Sequence, residues 1–248
     1  MSYPTALAVR LSAAVRGLRA LAWFVLGMPR DAAQIVKSGL NRAEAQALMR
    51  RRAERILEFS GIDVVLEGPD RLPSGGYVGV YNETSWPDAW AQHAVLWGVH
   101  FDRGAAAYEY GFLPYMKRAA TVLGLALVPR GDRTGTERVL AQLTAALRGG
   151  ERVLFGGEGQ MSGIDGVRRF KRGGALLAIR SGRPLVPIAF HGGQRLMPWG
   201  GLAIKSGTVQ VRIGEPIPVA GLQDDDAREL ADRAQMAVAK LYDGASRA

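Results

Sequence analysis

Two carboxylates five residues apart raise the question of chemistry in this chain. Glu83 and Asp88 lie in Asn82-Glu83-Thr84-Ser85-Trp86-Pro87-Asp88, directly after the apolar run Tyr77-Val78-Gly79-Val80-Tyr81. A carboxylate serves as a general base when its pKa is raised toward the working pH. A second carboxylate nearby raises it, because two close anions resist double ionisation, and apolar neighbours such as Trp86 and Tyr81 add desolvation. The apolar run ends a strand at Asn82, and a helix starts near Ser85. Ser85 with Asp88 three residues on is a capping-box pattern, and Pro87 suits the first helical turn. Five residues is a poor same-face spacing within a helix. It works when Glu83 lies in the turn and Asp88 in the first helical turn, reaching back. Taken alone, Asp88 reads as a helix-start acid.

Three further segments carry polar groups at strand ends. Gly124-Leu125-Ala126-Leu127-Val128-Pro129-Arg130 places a guanidinium at the carboxyl end of a strand, where it can bind a phosphate bidentately. Leu154-Phe155-Gly156-Gly157-Glu158-Gly159-Gln160-Met161-Ser162 is followed by Phe170-Lys171-Arg172-Gly173. Pro184-Leu185-Val186-Pro187-Ile188-Ala189-Phe190 is a short apolar strand.

In this order the four segments resemble the motifs of the glycerolipid acyltransferases, the lysophosphatidic acid acyltransferase family, over about residues 62–220. The family's first motif is N-H-x-x-x-x-D. Asn82, the spacing and Asp88 match, and Glu83 stands where the family has its general-base histidine. The third motif, F-P-E-G-T-R-S followed by K-x-G, matches at Glu158, Gly159, Ser162, Lys171 and Gly173. Gly157, Gln160 and Met161 replace its Pro, Thr and Arg, and that Arg helps hold the acceptor's phosphate. The fourth is the family's V-P-I strand, which shapes the site around the acyl chain.

The resemblance implies transfer of a fatty acyl group from acyl-CoA or acyl carrier protein to a hydroxyl of a lysophospholipid-like acceptor. No cofactor is implied beyond the thioester co-substrate. Glu83 would take the hydroxyl proton and Asp88 would orient or tune it. Asn82, Glu158 and Gly159 would shape the substrate site, and Arg130 and Lys171 would bind anionic parts of acceptor or donor. The alternative is a chain whose base has been lost, by divergence or by design, and which binds lipid or acyl donor without transfer.

The other candidates for chemistry are few. His93 lies on the helix after Glu83 and is expected to point elsewhere, and His100 ends that helix. His191, at the end of the V-P-I strand, is the substitute base to consider beside its ordinary reading as a structural histidine. Three separated histidines and no cysteines give no metal-ligand spacing. There is no G-x-S-x-G elbow. Gly149-Gly150 and Gly192-Gly193 read as turns. The lack of cysteine excludes disulfides and a thiol nucleophile, and it suits a reducing cytoplasm.

The elements that must position these residues follow from hydrophobic rhythm. From residue 62 onward, β-branched runs at Ile62–Leu66, Tyr77–Tyr81, Leu125–Val128, Val153–Phe155, Leu185–Phe190 and Val209–Ile213 alternate with helical stretches. Those stretches are Trp86–Val99, Tyr110–Leu123, Gly135–Leu147, Gly173–Ser181 and Asp224–Tyr242. Such alternation predicts an α/β domain over 61–248, with a mostly parallel sheet covered by helices.

Residues 1–60 form a different element. Residues 1–55 hold ten basic and three acidic side chains, and so carry most of the chain's net charge of +9. Leu7, Leu11, Val15, Leu18, Ala22 and Val25 recur at helical spacing, with Arg10, Arg16 and Arg19 off the stripe. The uncharged run between Arg19 and Arg30 is far short of the roughly 20 residues of a transmembrane helix. An apolar face flanked by arginines predicts a helix lying in the interface of an anionic membrane, peripheral or monotopic on its cytoplasmic face. The other reading is a helix packed on the domain with solvated arginines. A second helix is expected over Arg42–Phe59 with Asn41 as its N-cap. Nucleic acid is not an expected partner, because no aromatic residues interleave with the basic ones.

Overall fold

The computed structural model describes residues 6–129 and 131–245. Its two N-terminal helices are α1 (Ala6–Lys37) and α2 (Arg42–Ser60). Asn41 caps α2 as expected: its side chain accepts from the Glu44 amide at 3.1 Å, and the Glu44 carboxylate accepts from the Asn41 amide at 2.9 Å. Gly61, at φ 68°, closes the helix in the left-handed region that favours glycine. The chain then alternates β1 (Ile62–Glu67), β2 (Val78–Tyr81), α3 (Trp86–Val95), β3 (Arg103–Ala107), α4 (Met116–Leu123) and β4 (Leu125–Val128). It continues with α5 (Arg133–Arg148), β5 (Val153–Gly156), α6 (Gly173–Ser181), β6 (Leu185–His191), α7 (Gly193–Leu196), β7 (Gly207–Ile213) and α8 (Ala227–Ala245).

The seven strands form one sheet in the order β1-β7-β6-β2-β5-β3-β4. Only β6 and β7 pair antiparallel; every other neighbouring pair is parallel. Helices cover both faces, as a parallel sheet requires. One core lies between the sheet and α2 and α3, and a second lies between the sheet and α5, α6 and α8.

The structure departs from the sequence expectation in four places. α3 ends at Val95, short of the expected Trp86–Val99, so His100 lies in the turn beyond the helix and does not end it. Arg103–Ala107 pairs between β5 and β4 although it holds no β-branched residue. Its strand state comes from its neighbours rather than from propensity. The helix expected over Tyr110–Leu123 is broken: a 3-10 turn covers Tyr108–Phe112, and Tyr115 at φ 65° precedes α4. Gly192-Gly193, expected as a turn, opens the short helix α7.

The basic N-terminal element is not detached. α1 runs through Pro29 without interruption and packs on α2 and α4. Arg52 pairs with buried Asp31 and donates to the Trp23 carbonyl at 2.9 Å. Ala13, Gly17 and Ala20 form the packed face, with Gly17 so close to the Leu202 carbonyl that a Cβ would stand 1.7 Å from it. Leu11, Val15, Leu18, Ala22 and Val25 all face outward, and Leu26 is 75% exposed. The apolar stripe is therefore the unpacked side of the helix. By length and composition alone Leu11–Lys37 is long and apolar enough to cross a membrane.

Candidate active site

β2 and β5 are neighbours, so the loops leaving their carboxyl ends lie side by side. The first carries Asn82 and Glu83 and leads into α3, whose first turn carries Asp88; the second carries Glu158. The loops are stitched together. Gly157 donates its amide to the Tyr81 carbonyl at 2.9 Å, Ser162 to Glu83 at 2.9 Å, and Gly163 to Thr84 at 3.1 Å.

Asn82 is wholly buried and locks this end of the sheet. Its Nδ2 donates to the Phe190 carbonyl at 2.9 Å, and its Oδ1 accepts from the Phe190 amide at 2.9 Å. The side chain thus extends the β2–β6 ladder by one step. Both polar ends of the amide are engaged there, so Asn82 holds the start of the Glu83 turn against β6.

Asp88 reaches back from the first turn of α3, as its spacing requires. Its Oδ2 accepts from the Thr84 amide at 3.0 Å, the Ser85 amide at 3.2 Å and the Thr84 hydroxyl at 2.5 Å. Burial still pushes its pKa up to about 6, against the lowering pull of those donors. Glu83 shows a larger rise, to about 7, through burial first and then repulsion from Asp88 and Glu158. Glu158, 5% exposed, also rises to about 7 because burial outweighs its hydrogen bonds from the Arg168 amide and Ser162. Three carboxylates thus share one desolvated site, with Glu83 and Glu158 raised to about 7 and Asp88 to about 6.

Glu83 and Glu158 line a cavity of about 900 Å³. Gly159, Gln160 and Lys171 form an exposed polar end of it. The remaining wall is largely apolar and is built by α1, α2, α3, α4 and β3, including Ile35, Met49, Ile56 and Leu123. Gly104, Ala105, Ala106 and Ala107 of β3 line it as well, and their small side chains leave it open. The weak strand signal of β3 and the space of the cavity have one cause.

Lys171 lines the cavity mouth. Its amide donates to the Gly157 carbonyl at 2.7 Å, and its Nζ lies 3.0 Å from where a Gly159 Cβ would stand. Gly159 has φ 72°, in the left-handed region that favours glycine, and faces the same space. Gly157 also has a local reason: a Cβ would come 2.6 Å from the Phe170 ring, which fills the place of a larger residue. Arg130 lies outside the described residues; its neighbours Pro129 and Gly131 line the cavity.

Two histidines need comment. His191 is buried on the face of β6 opposite Phe190, with its ring edge-on to Tyr242 at 4.8 Å, and it is not part of the cavity wall. That placement makes it a structural histidine. His93, expected to point elsewhere, lines the cavity. It follows Trp86 by seven residues, two turns of α3, and so shares its face. That spacing was readable from the sequence.

Gly193 is the residue that motif reasoning missed. A Cβ there would stand 2.0 Å from Oδ1 of Asp88. Among the described residues no cluster of three or more His, Cys, Asp or Glu side chains could hold a metal ion.

The family described as Acyltransferase matches residues 63–191. A 1-acyl-sn-glycerol-3-phosphate acyltransferase of Pseudomonas aeruginosa is 30% identical over 128 residues, 51% of this chain and 49% of that protein. The 1-acyl-sn-glycerol-3-phosphate acyltransferase alpha of Ovis aries is 29% identical over 202 residues, 80% of this chain and 69% of its own. The chain thus spans about half the length of the Pseudomonas relative. The crystal structure of the 1-acyl-sn-glycerophosphate (LPA) acyltransferase PlsC from Thermotoga maritima superposes with a TM-score of 0.68 at 21% identity. That match covers 94% of this chain and 95% of the other, and it is a likeness of fold.

Proposed function

The chain belongs to the acyltransferase family, and from that premise we propose that it moves a fatty acyl group from a thioester donor to a hydroxyl of a lysophospholipid-like acceptor. The observation that carries this reading is a carboxylate with a pKa of about 7, Glu83, at the polar end of an otherwise apolar cavity. The acyl chain occupies the apolar part, and its carbonyl meets the acceptor hydroxyl beside Glu83. Glu83 takes the hydroxyl proton as the oxygen attacks the carbonyl carbon. The carbon–sulfur bond then breaks, and the departing thiolate recovers the proton from Glu83. Asp88 keeps the Thr84–Ser85 turn in place and raises the basicity of Glu83 through repulsion. Lys171 offers its ammonium to the phosphate of the acceptor or to the phosphopantetheine of acyl-CoA or acyl carrier protein.

The outward apolar face of α1, with basic residues beside it, supports attachment in the plane of an anionic membrane on its cytoplasmic side. The acceptor would enter from that surface. A second reading, binding of lipid or acyl donor without transfer, is favoured by glutamate at position 83 and by Met161 in place of a phosphate-binding arginine.

One experiment separates the two readings. The purified chain is offered a panel of lysolipids with acyl-CoA and with acyl carrier protein donors, beside Glu83→Gln. Transfer reduced 10²–10⁴-fold in the variant is expected of a general base. Equal turnover by both forms would dismiss Glu83 as the base, and binding with no transfer by either would leave the second reading.

A further inference from the structure

The cavity has two rims of different chemistry. Gly159, Gln160 and Lys171 form the polar one. Trp199 forms the other: it lines the cavity and is still 47% exposed, so it stands where the cavity meets the surface. Its ring centre lies 5.6 Å from that of Trp86, and Trp86 lies 4.8 Å from Phe24 of α1. An aromatic row therefore leads from α1 to this rim. The transfer step involves none of the three.

Trp199 is held on a short loop between α7 and β7. Pro198–Gly201 is a β-turn, closed by the Gly201 amide donating to the Pro198 carbonyl at 2.8 Å, with Gly200 at φ 80° in its third position. The Trp199 amide donates to Oε1 of Gln194 at 3.0 Å, and Nε2 of Gln194 donates to the Gly163 carbonyl at 2.9 Å. The loop then runs beside α1. The Leu202 carbonyl stands against Gly17, and the Ile204 amide donates to the Ala13 carbonyl at 2.9 Å. Leu202, 56% exposed, thus adds an apolar side chain alongside the helix whose outward face is itself apolar. No acidic residue occurs between Asp165 and Glu215, and Lys205 is exposed at the end of the loop. An exposed tryptophan and leucine with a cation beside them and no carboxylate suit the boundary of an anionic bilayer. An indole, apolar with one polar N–H, favours the headgroup level.

We propose that the 198–203 loop inserts into the same anionic bilayer surface as α1, and that Trp199 is the bilayer-side rim over which the lipid acceptor passes into the cavity. The proposal rests on membrane attachment through α1, because continuity with that helix is what turns the loop toward lipid. The polar rim at Lys171 is then left to the water-borne thioester donor.

The chain has no cysteine, so one introduced cysteine takes a fluorophore at a single position. In the full-length protein, Leu26→Cys, Leu202→Cys and Met236→Cys report on α1, on the loop and on α8, which covers the other side of the sheet. On phosphatidylglycerol vesicles that carry a nitroxide on the acyl chain, dyes at 26 and 202 should be quenched and the dye at 236 should not. Quenching at 26 without quenching at 202 would overturn the proposal and leave attachment through α1 standing. Quenching at neither would remove the attachment and the proposal with it, and equal quenching at all three would mean that no particular face meets the bilayer. This arm needs no turnover, so it reads the loop whether or not the chain transfers acyl groups. Kinetics test the rim. Trp199→Ala should lower kcat/KM about tenfold more for an acceptor carried in vesicles than for a short-chain acceptor dissolved as monomers. Equal losses on the two acceptors, or no loss on the vesicle acceptor, would overturn the role given to Trp199.

Discussion

Gly193 and Asp88 occupy contiguous space: a Cβ on residue 193 would lie 2.0 Å from Oδ1 of the carboxylate. Two distant segments of chain, the start of α7 and the first turn of α3, therefore meet at the residue that holds the Glu83 turn. Gly193→Ala must push the Asp88 side chain away from the Thr84 and Ser85 amides. The expected result is a loss of acyl transfer of tenfold or more. The stability cost is about 1–3 kcal/mol, the usual range for overpacking. Circular dichroism melts beside turnover check it, and full activity in the variant would free Asp88 from its positioning role.

The pKa values set a pH profile. Glu83 must be ionised to act, so kcat/KM should rise with pH through about 7. Stability should run the other way. The folded-state pKa values of Glu83 and Glu158, about 7, and of Asp88, about 6, lie above their unfolded values. The native state then binds more protons than the unfolded state between about pH 4 and 7, and stability falls as pH rises through that window. Glu83→Gln removes one of these burdens and should be the more stable protein at pH 8 by on the order of 1–3 kcal/mol. Urea titrations at pH 5 and pH 8 measure both slopes; a variant no more stable at pH 8 would mean that Glu83 is not desolvated.

Met161 lines the cavity beside the carboxylates. An apolar thioether there gives the acceptor's headgroup no charge partner, so neutral or bulkier headgroups should be tolerated. Met161→Arg should raise the preference for a phosphomonoester acceptor, by about tenfold for one charge-assisted hydrogen bond. Competition between lysophosphatidic acid and a neutral lysolipid reads the ratio. Strict dependence of the unaltered chain on the phosphomonoester would contradict the inference.

The sequence exposes those parts of the site that are encoded locally. Ser85, Pro87 and Asp88 announce a strand-to-helix turn through short-range chemistry, and the turn forms as they require. Glu158 joins Glu83 because β2 and β5 are neighbours, a strand order that no motif states. What stays hidden depends on long-range contact. β3 is made a strand by β4 and β5, and no residue within it signals that state. Gly193 meets Asp88 only after more than a hundred residues have folded between them. His93 is a different case. Its spacing from Trp86 already places it on the cavity face, two helical turns further along α3.

The outward face of α1 provides the membrane test. Leu18 is 55% and Leu26 75% exposed, and neither packs on the domain. Each leucine buried in a bilayer interface contributes about 1.5–3 kcal/mol. Leu18→Asp with Leu26→Asp should therefore reduce co-sedimentation with anionic vesicles by tenfold or more, while exposed positions leave the unfolding midpoint nearly unchanged. The basic residues do not all face the lipid. Arg16 donates to the Ile204 carbonyl at 3.2 Å, and the guanidinium of Arg19 lies over the Phe59 ring at 4.4 Å. Arg16→Glu should then loosen α1 from the 202–205 segment as well as weaken electrostatic attraction. Gly17→Leu is the control on the packed face. With the Leu202 carbonyl 1.7 Å from its Cβ position, it should destabilise the protein whether or not lipid is present. Binding that falls at high salt marks the charged contribution. Equal pelleting of the unaltered protein and the double aspartate variant would show that the stripe does not meet the membrane.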